Sequence, residues 1–418
     1  MDSADQRTVV GVKAARTTDT AGATTPATGE STHDGVPVTT TPEQSSEKPT
    51  APAGAGRTPF RLGNRPPLTG VRALCMIPVV MYHSDFSTLP GAWAPLQVFF
   101  VLSGFLITAM LASEGRRNDR ISLSGFYSRR IVRLLPPLLF TVALMAVYAS
   151  FTHVADASQR LWGDGLSAMT FSDYRQALGH APFFGYLAQT WSLAVEEQFY
   201  IIWAVLMVIA VATHRRRLAY GFAIAGMVLS VADRLYLTYT APHFTHVVFT
   251  RIYYAFDSRA DALFVGCLLG LLATDGYFSQ WKGQSIRLLK VAAVAASVFL
   301  VWILFYAPLW QKNLVTWWLP LTSLASAVIL VYFVICPVSL GSRFVGLGVL
   351  VFLGELSYAI YLIHFPVFLA LQPGPDGTHW SFWPTEILRL GIVFGLACIS
   401  WFLVERPLLR WRQRSAAR

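Results

Sequence analysis

Mostly apolar stretches recur along the chain at about 70–88, 93–112, 131–151, 194–213, 218–238, 260–274, 289–308, 316–336, 347–371 and 385–404. All but the sixth approach the ~20 residues that carry a helix across a hydrocarbon core. A bilayer offers no water to backbone polar groups, so each stretch is expected to be helical. The pattern predicts an all-α polytopic membrane protein with about ten transmembrane helices.

Two regions break the pattern. Residues 1–65 are rich in Thr, Ala, Pro, Gly and Ser and nearly lack large apolar side chains. They cannot bury a core and are expected to form a disordered cytoplasmic tail. No basic start followed by an apolar run marks them as a signal peptide. The membrane domain is expected over 66–410, with a basic cytoplasmic tail over 411–418. Within it, 152–190 is interrupted by Asp156, Asp164, Asp173 and several glycines, and reads as an external or re-entrant segment with zero or two crossings.

Composition agrees: 54% of residues are hydrophobic and only 13% charged, against about a quarter charged in soluble domains. The net charge of +10 invites a nucleic-acid reading, but the cations flank apolar spans. Arg116, Arg117, Arg120, Arg129, Arg130, Arg133, Arg215, Arg216, Arg217, Lys282, Arg287, Lys290, Arg343 and the group from Arg406 to Arg418 all lie on one side of the expected topology. Arg160, Arg175, Arg251 and Lys312 lie on the other. The asymmetry places both termini in the cytoplasm of a multi-pass plasma-membrane protein that does not bind nucleic acid. Cys75, Cys267, Cys336 and Cys398 sit in apolar spans without metal-ligand spacing, so neither a disulfide framework nor a metal site is expected.

Ionisable groups inside the spans carry the candidate chemistry, because they are costly there and usually line a site or pathway. The first span, Gly70–His83, holds Arg72 and His83 with ten residues between them, roughly 16 Å along a helix. A neutral imidazole can take a proton from an alcohol; a histidine bonded to a neighbouring helix is the alternative. In Thr190–Tyr200, Glu196 and Glu197 point about 100° apart. One is expected to enter a polar cavity and orient His83. The other caps the helix start, with Ser192 as N-cap. Trp191 and Tyr200 make this helix too polar for a lipid face. In Phe126–Pro137, Arg129, Arg130 and Arg133 form a fork suited to phosphates; simple anchoring fits equally. In Gly354–His364, Tyr358, Tyr361 and His364 recur every three residues, and Ser357 precedes Tyr361 by four. Such a stripe lines a cavity or bonds helices together. Arg259 and Asp261 are a candidate ion pair. Ser103–Gly104 reads as a close-packing device rather than a nucleophile, since no GxSxG surrounds it.

In this order the stretches resemble the acyltransferase 3 family of integral membrane O-acyltransferases. The matching residues are Arg72 with His83, FFVLSGFLI at Phe99–Ile107, FYSRRIVRLLP at Phe126–Pro136, WSLAVEEQFY at Trp191–Tyr200 and LSYAIYLIH at Leu356–His364. The resemblance covers about 68–410. It implies transfer of an acyl group from cytoplasmic acyl-CoA, a co-substrate rather than a bound cofactor, to a hydroxyl, commonly on a sugar. By this resemblance His83 is the essential histidine, Arg72 its motif partner, and Arg129, Arg130 and Arg133 hold the CoA phosphates. Relatives often place an acidic residue just before the paired phenylalanines, where this chain has Leu96, Gln97 and Val98. The chain stops soon after the last span, which resembles compact macrolide O-acyltransferases of actinomycetes rather than members with an appended C-terminal domain. A macrolide deoxysugar is therefore the expected acceptor, and a surface polysaccharide or other envelope glycan the alternative. A glycolipid or acyl-donor transporter is the alternative of another class, against which stands the lack of a clear internal repeat.

Overall fold

A computed structural model describes residues 58, 60, 63, 65–84, 89–152, 185–371 and 382–416. The expected N-terminal tail and most of 152–190 lie outside the described residues. The helices are α1 (Pro66–His83), α2 (Ala94–Asn118), α3 (Leu123–Thr152), α4 (Trp191–Ala212), α5 (Arg216–Thr240), α6 (His246–Tyr254), α7 (Phe256–Arg259), α8 (Asp261–Thr274), α9 (Gln284–Tyr306), α10 (Leu319–Ile335), α11 (Leu340–Val345), α12 (Gly348–Ala370), α13 (Phe382–Ile399) and α14 (Arg406–Ala416). Every apolar stretch of the sequence falls on one of them. Among the described residues, eight helical segments are long and apolar enough to cross a membrane; α1 and the 14-residue α8 complete the set of expected spans.

Local rules explain the starts. Pro66 and Pro67 open α1, where missing N–H groups cost nothing. The side chains of Thr245 and Ser339 accept from the backbone of Val248 and Ser342 and cap α6 and α11. The outer face of α9 exposes Leu288, Val291, Val294, Val298, Val301 and Phe305. These recur at helical spacing, an apolar stripe whose natural solvent is lipid.

Small residues bring the helices around the site into backbone contact. In α8, Gly266 and Gly270 form a GxxxG pair against α2. A Cβ on Gly266 would lie 2.1 Å from the Val101 carbonyl oxygen, and one on Gly104 1.9 Å from that of Leu263. This is the close approach that small-residue stripes permit in membranes. On the other flank α1 meets α12, where a Cβ on Gly354 would lie 2.0 Å from the Thr69 carbonyl oxygen. Around these contacts Phe100, Phe105, Phe199, Trp203 and Leu263 form the main core, while Val79, Val80, Ile363 and Phe368 form a second cluster between α1 and α12.

The expected Arg259–Asp261 pair does not form. Asp261 is taken by Arg234 of α5, which donates to both carboxylate oxygens at 2.8 and 3.1 Å and to the Ser258 carbonyl at 2.8 Å. Both partners are buried. Breaking such a pair strands a charge in a low dielectric, so Asp261→Ala is expected to destabilise the fold by about 3–5 kcal/mol. Thermal unfolding in detergent micelles measures this; an unchanged melting temperature contradicts it.

Candidate active site

A cavity of about 540 Å³ runs among α1, α2, α3, α4, α12 and the end of α14. Its wall carries six arginines, namely Arg65, Arg72, Arg129, Arg130, Arg133 and Arg412, and one carboxylate, Glu196. Hydroxyls complete the polar lining: Thr69, Ser103, Ser192, Tyr200, Ser357, Tyr358 and Tyr361.

The helices place these groups by register. On α3, Arg129 and Arg130 open the fork and Arg133 follows one turn on. Arg129 is held by Glu114 of α2 at 2.9 Å. The Arg130 guanidinium lies over the Tyr200 ring, 3.3 Å from its centroid. The Nε atoms of Arg129 and Arg130 are buried with no hydrogen-bond partner among the described residues. Arg72, one turn beyond Leu68 on α1, shares the cavity with Arg133. Glu405, in a π-turn after α13, stands within electrostatic reach of both. The few carboxylates near these arginines leave the cavity as a whole strongly cationic.

The inner wall belongs to α4 and α12. Tyr200 donates to Glu196 at 2.8 Å and, with its own proton so used, accepts from Ser103. Tyr361 donates to the Gln189 carbonyl and accepts from Ser192 at 2.6 Å. One turn past Tyr361, His364 meets the end of α1: its Nε2 lies 3.3 Å from His83 Nδ1. His83 Nδ1 is also 2.9 Å from the Val79 carbonyl, and His364 Nδ1 is 3.1 Å from that of Ile360. A carbonyl only accepts, so both imidazoles carry their proton on Nδ1. His364 Nε2 then offers its lone pair to His83 Nδ1–H, which leaves His83 Nε2 as the open base.

Ten of the residues singled out from sequence therefore line one cavity: Arg72, Arg129, Arg130, Arg133, Ser192, Glu196, Tyr200, Ser357, Tyr358 and Tyr361. His83 and His364 form a pair just beyond its inner end. Trp191 and Glu197 are not in the lining. Trp191 packs on Tyr253 and Tyr254, with ring centroids 5.2 and 4.8 Å away. Glu197 turns toward the next face of α4, near Tyr127.

Three expectations need correction. The partner of His83 is His364, while Glu196 serves Tyr200. Ser192 is not an N-cap: α4 begins at Trp191, so Ser192 lies in its first turn and its hydroxyl faces Tyr361. Glu196 and Glu197 lie more than a turn inside α4, too deep to cap it. The Ser103–Gly104 pair divides its roles, with Gly104 making the helix contact and Ser103 facing the cavity. Gln97, the departure from the family pattern, lies elsewhere. It is buried between α2 and α10 and donates to Ser323 at 2.8 Å.

Residues 67–406 match the family model of the acyltransferase domain, acyltransferase 3. The chain is 29% identical over 354 residues to the peptidoglycan O-acetyltransferase OatA of Listeria monocytogenes, covering 82% of this chain and 55% of that protein. It is 28% identical over 314 residues to the O-acetyltransferase OatA of Staphylococcus aureus, covering 72% of this chain and 50% of that protein. The chain thus spans about half the length of these curated relatives. No solved structure matches it. The chain belongs to the acyltransferase 3 family and is a multi-pass membrane protein. The Listeria protein is named for peptidoglycan, and neither name mentions a macrolide, so the macrolide expectation finds no support in them.

Proposed function

We propose that this member of the family moves an acyl group from acyl-CoA to a sugar hydroxyl of an envelope glycan such as peptidoglycan. The observation that carries the reading is a cavity with six arginines and one carboxylate, with the His83–His364 pair just beyond its inner wall at Tyr361. Guanidinium groups in a desolvated cavity suit a donor bearing several phosphates. The arginine-rich mouth faces the cytoplasm, where acyl-CoA resides, in keeping with the loop cations. The envelope acceptor follows the named activities of the relatives.

In this reading the acyl chain points inward past Tyr361 toward His83. His83 Nε2 takes the acceptor's hydroxyl proton as its oxygen attacks the thioester carbonyl. A C–O bond forms and the carbonyl oxygen becomes negative. The intermediate collapses with loss of the C–S bond. The imidazolium returns the proton to the thiolate, giving the ester and free CoA. While His83 is charged, its Nδ1–H donates to His364, so His364 orients the base and shares its charge. Replacing His364 with Phe removes one hydrogen bond to a charged group, a loss of about 1.5–3 kcal/mol. Turnover is expected to fall about 10- to 100-fold with donor affinity unchanged. A variant with wild-type turnover contradicts the pairing role.

The direct test is incubation of the purified protein with acetyl-CoA labelled in its acetyl group, soluble peptidoglycan fragments and, separately, macrolides. Alkali-labile label on the glycan is the expected result. Label confined to the macrolide would overturn the acceptor assignment, and label on neither would overturn the reading.

A further inference from the structure

Arg259 is the last residue of α7 and is fully buried. Its Nε and both terminal nitrogens have no hydrogen-bond partner among the described residues. Asp261, two residues on, is committed to Arg234 through both oxygens. The surroundings of Arg259 are instead aromatic. Its guanidinium carbon lies 4.6 Å from the Tyr253 ring centroid, 5.7 Å from that of Phe100 and 6.0 Å from that of Trp191. Ring faces attract a cation, but they leave five N–H donors without an oxygen. A buried charge held this way is costly unless something else meets it.

Its place in the fold says when that happens. Phe100 belongs to the cavity wall, and Trp191 is adjacent to Ser192, which also lines it. The hydroxyls of Tyr253 and Tyr254 lie within electrostatic reach of Tyr82, and that of Tyr254 also of Tyr361. Tyr82 packs edge-on against His83, with ring centroids 5.3 Å apart. Arg259 therefore stands behind Phe100 of the cavity wall, and Tyr253 and Tyr254 link its surroundings to Tyr82, the ring packed against His83.

We propose that Arg259 is an anion site at the reacting end of the acyl path, receiving one negatively charged oxygen during transfer. That oxygen is either the thioester carbonyl oxygen as the carbon becomes tetrahedral or an anionic group carried by the acceptor. The inference rests on the assignment of His83 as the base. In both cases the guanidinium is preorganised in a dry environment, where a fixed donor acts most strongly on developing charge.

The test compares Arg259→Met and Arg259→Lys in the full chain, reconstituted in lipid. Melting temperature, steady-state transfer and acceptor-free release of CoA are measured. A cation kept for structure predicts a lower melting temperature for Arg259→Met. A functional anion site predicts a melting temperature equal to or above wild type, because the methionine removes an unmatched buried charge. It also predicts turnover down about 100-fold, with Arg259→Lys retaining more activity than Arg259→Met. If acceptor-free CoA release falls with transfer, the oxygen is that of the thioester. If that release is unchanged while the KM for the acceptor rises, the oxygen belongs to the acceptor. Wild-type kcat and KM in a folded Arg259→Met protein overturn the proposal. So does a loss of stability with undiminished turnover per folded molecule. His83→Ala assayed alongside keeps the two readings apart: activity in that variant refutes the base, whereas the Arg259 variants report on the anion site through their own stability and kinetics.

Discussion

His83→Ala is expected to lower acyl transfer about 10²- to 10⁴-fold, the range supplied by a positioned general base, while acyl-CoA affinity stays at its wild-type level. The split follows from position. His83 lies beyond the inner end of the cavity, so removing its imidazole takes nothing from the surface that holds the donor. The fold should tolerate the change. His83 is the last residue of α1 and only partly buried, and its hydrogen bonds run to its own helix at Val79 and to His364. Rates at saturating donor and acceptor, donor binding by calorimetry and a melting curve in detergent together make the measurement. A correctly inserted variant with wild-type turnover removes His83 from the chemistry.

The double substitution Arg130→Met with Arg133→Met is expected to weaken acyl-CoA binding about 10²- to 10⁴-fold. Each charge-assisted hydrogen bond to phosphate contributes about 1.5–3 kcal/mol, and both side chains face the same cavity. The substitution also separates two readings that the sequence leaves level. If the fork only anchors topology, the variant inserts poorly or inverts, and the protein that does insert correctly binds donor normally. If the fork holds phosphates, insertion is normal and affinity falls. Binding of CoA against dephospho-CoA then shows how much of the loss lies with the 3′-phosphate.

Much of the fold was readable from residue order alone. The apolar stretches located the spans seen among the described residues, because a membrane helix announces itself by length and hydropathy. Intramembrane ionisable residues located the candidate site, because their cost makes them rare. Pairing across helices could not be read. Arg259 and Asp261 are two residues apart, which invites a local pair, yet a guanidinium on α5 reaches Asp261 first. The same blindness applied to His83, whose partner is 281 positions away in the chain. Arg412 had the opposite problem. Its charge fitted the positive-inside pattern so well that nothing in its neighbourhood marked it as part of a cavity. Ser103 was obscured by Gly104, whose packing role is real and sits on the adjoining face.

The π-turn at Ser400–Glu405 re-aims the helix beyond it. A π-turn accommodates one residue more than an α-helix over the same rise, so everything downstream is turned by about 100° relative to an uninterrupted helix. Arg412 reaches the cavity from beyond that turn. The extra residue acts as a phase shift in the chain: it keeps Glu405 facing Arg72 and Arg133 and brings Arg412 round to the donor side. Shortening the turn by one residue would leave composition and hydropathy almost untouched, yet would swing one of the six cavity arginines out of the wall. In this last helix the length of the chain, as much as its chemistry, sets the charge of the site.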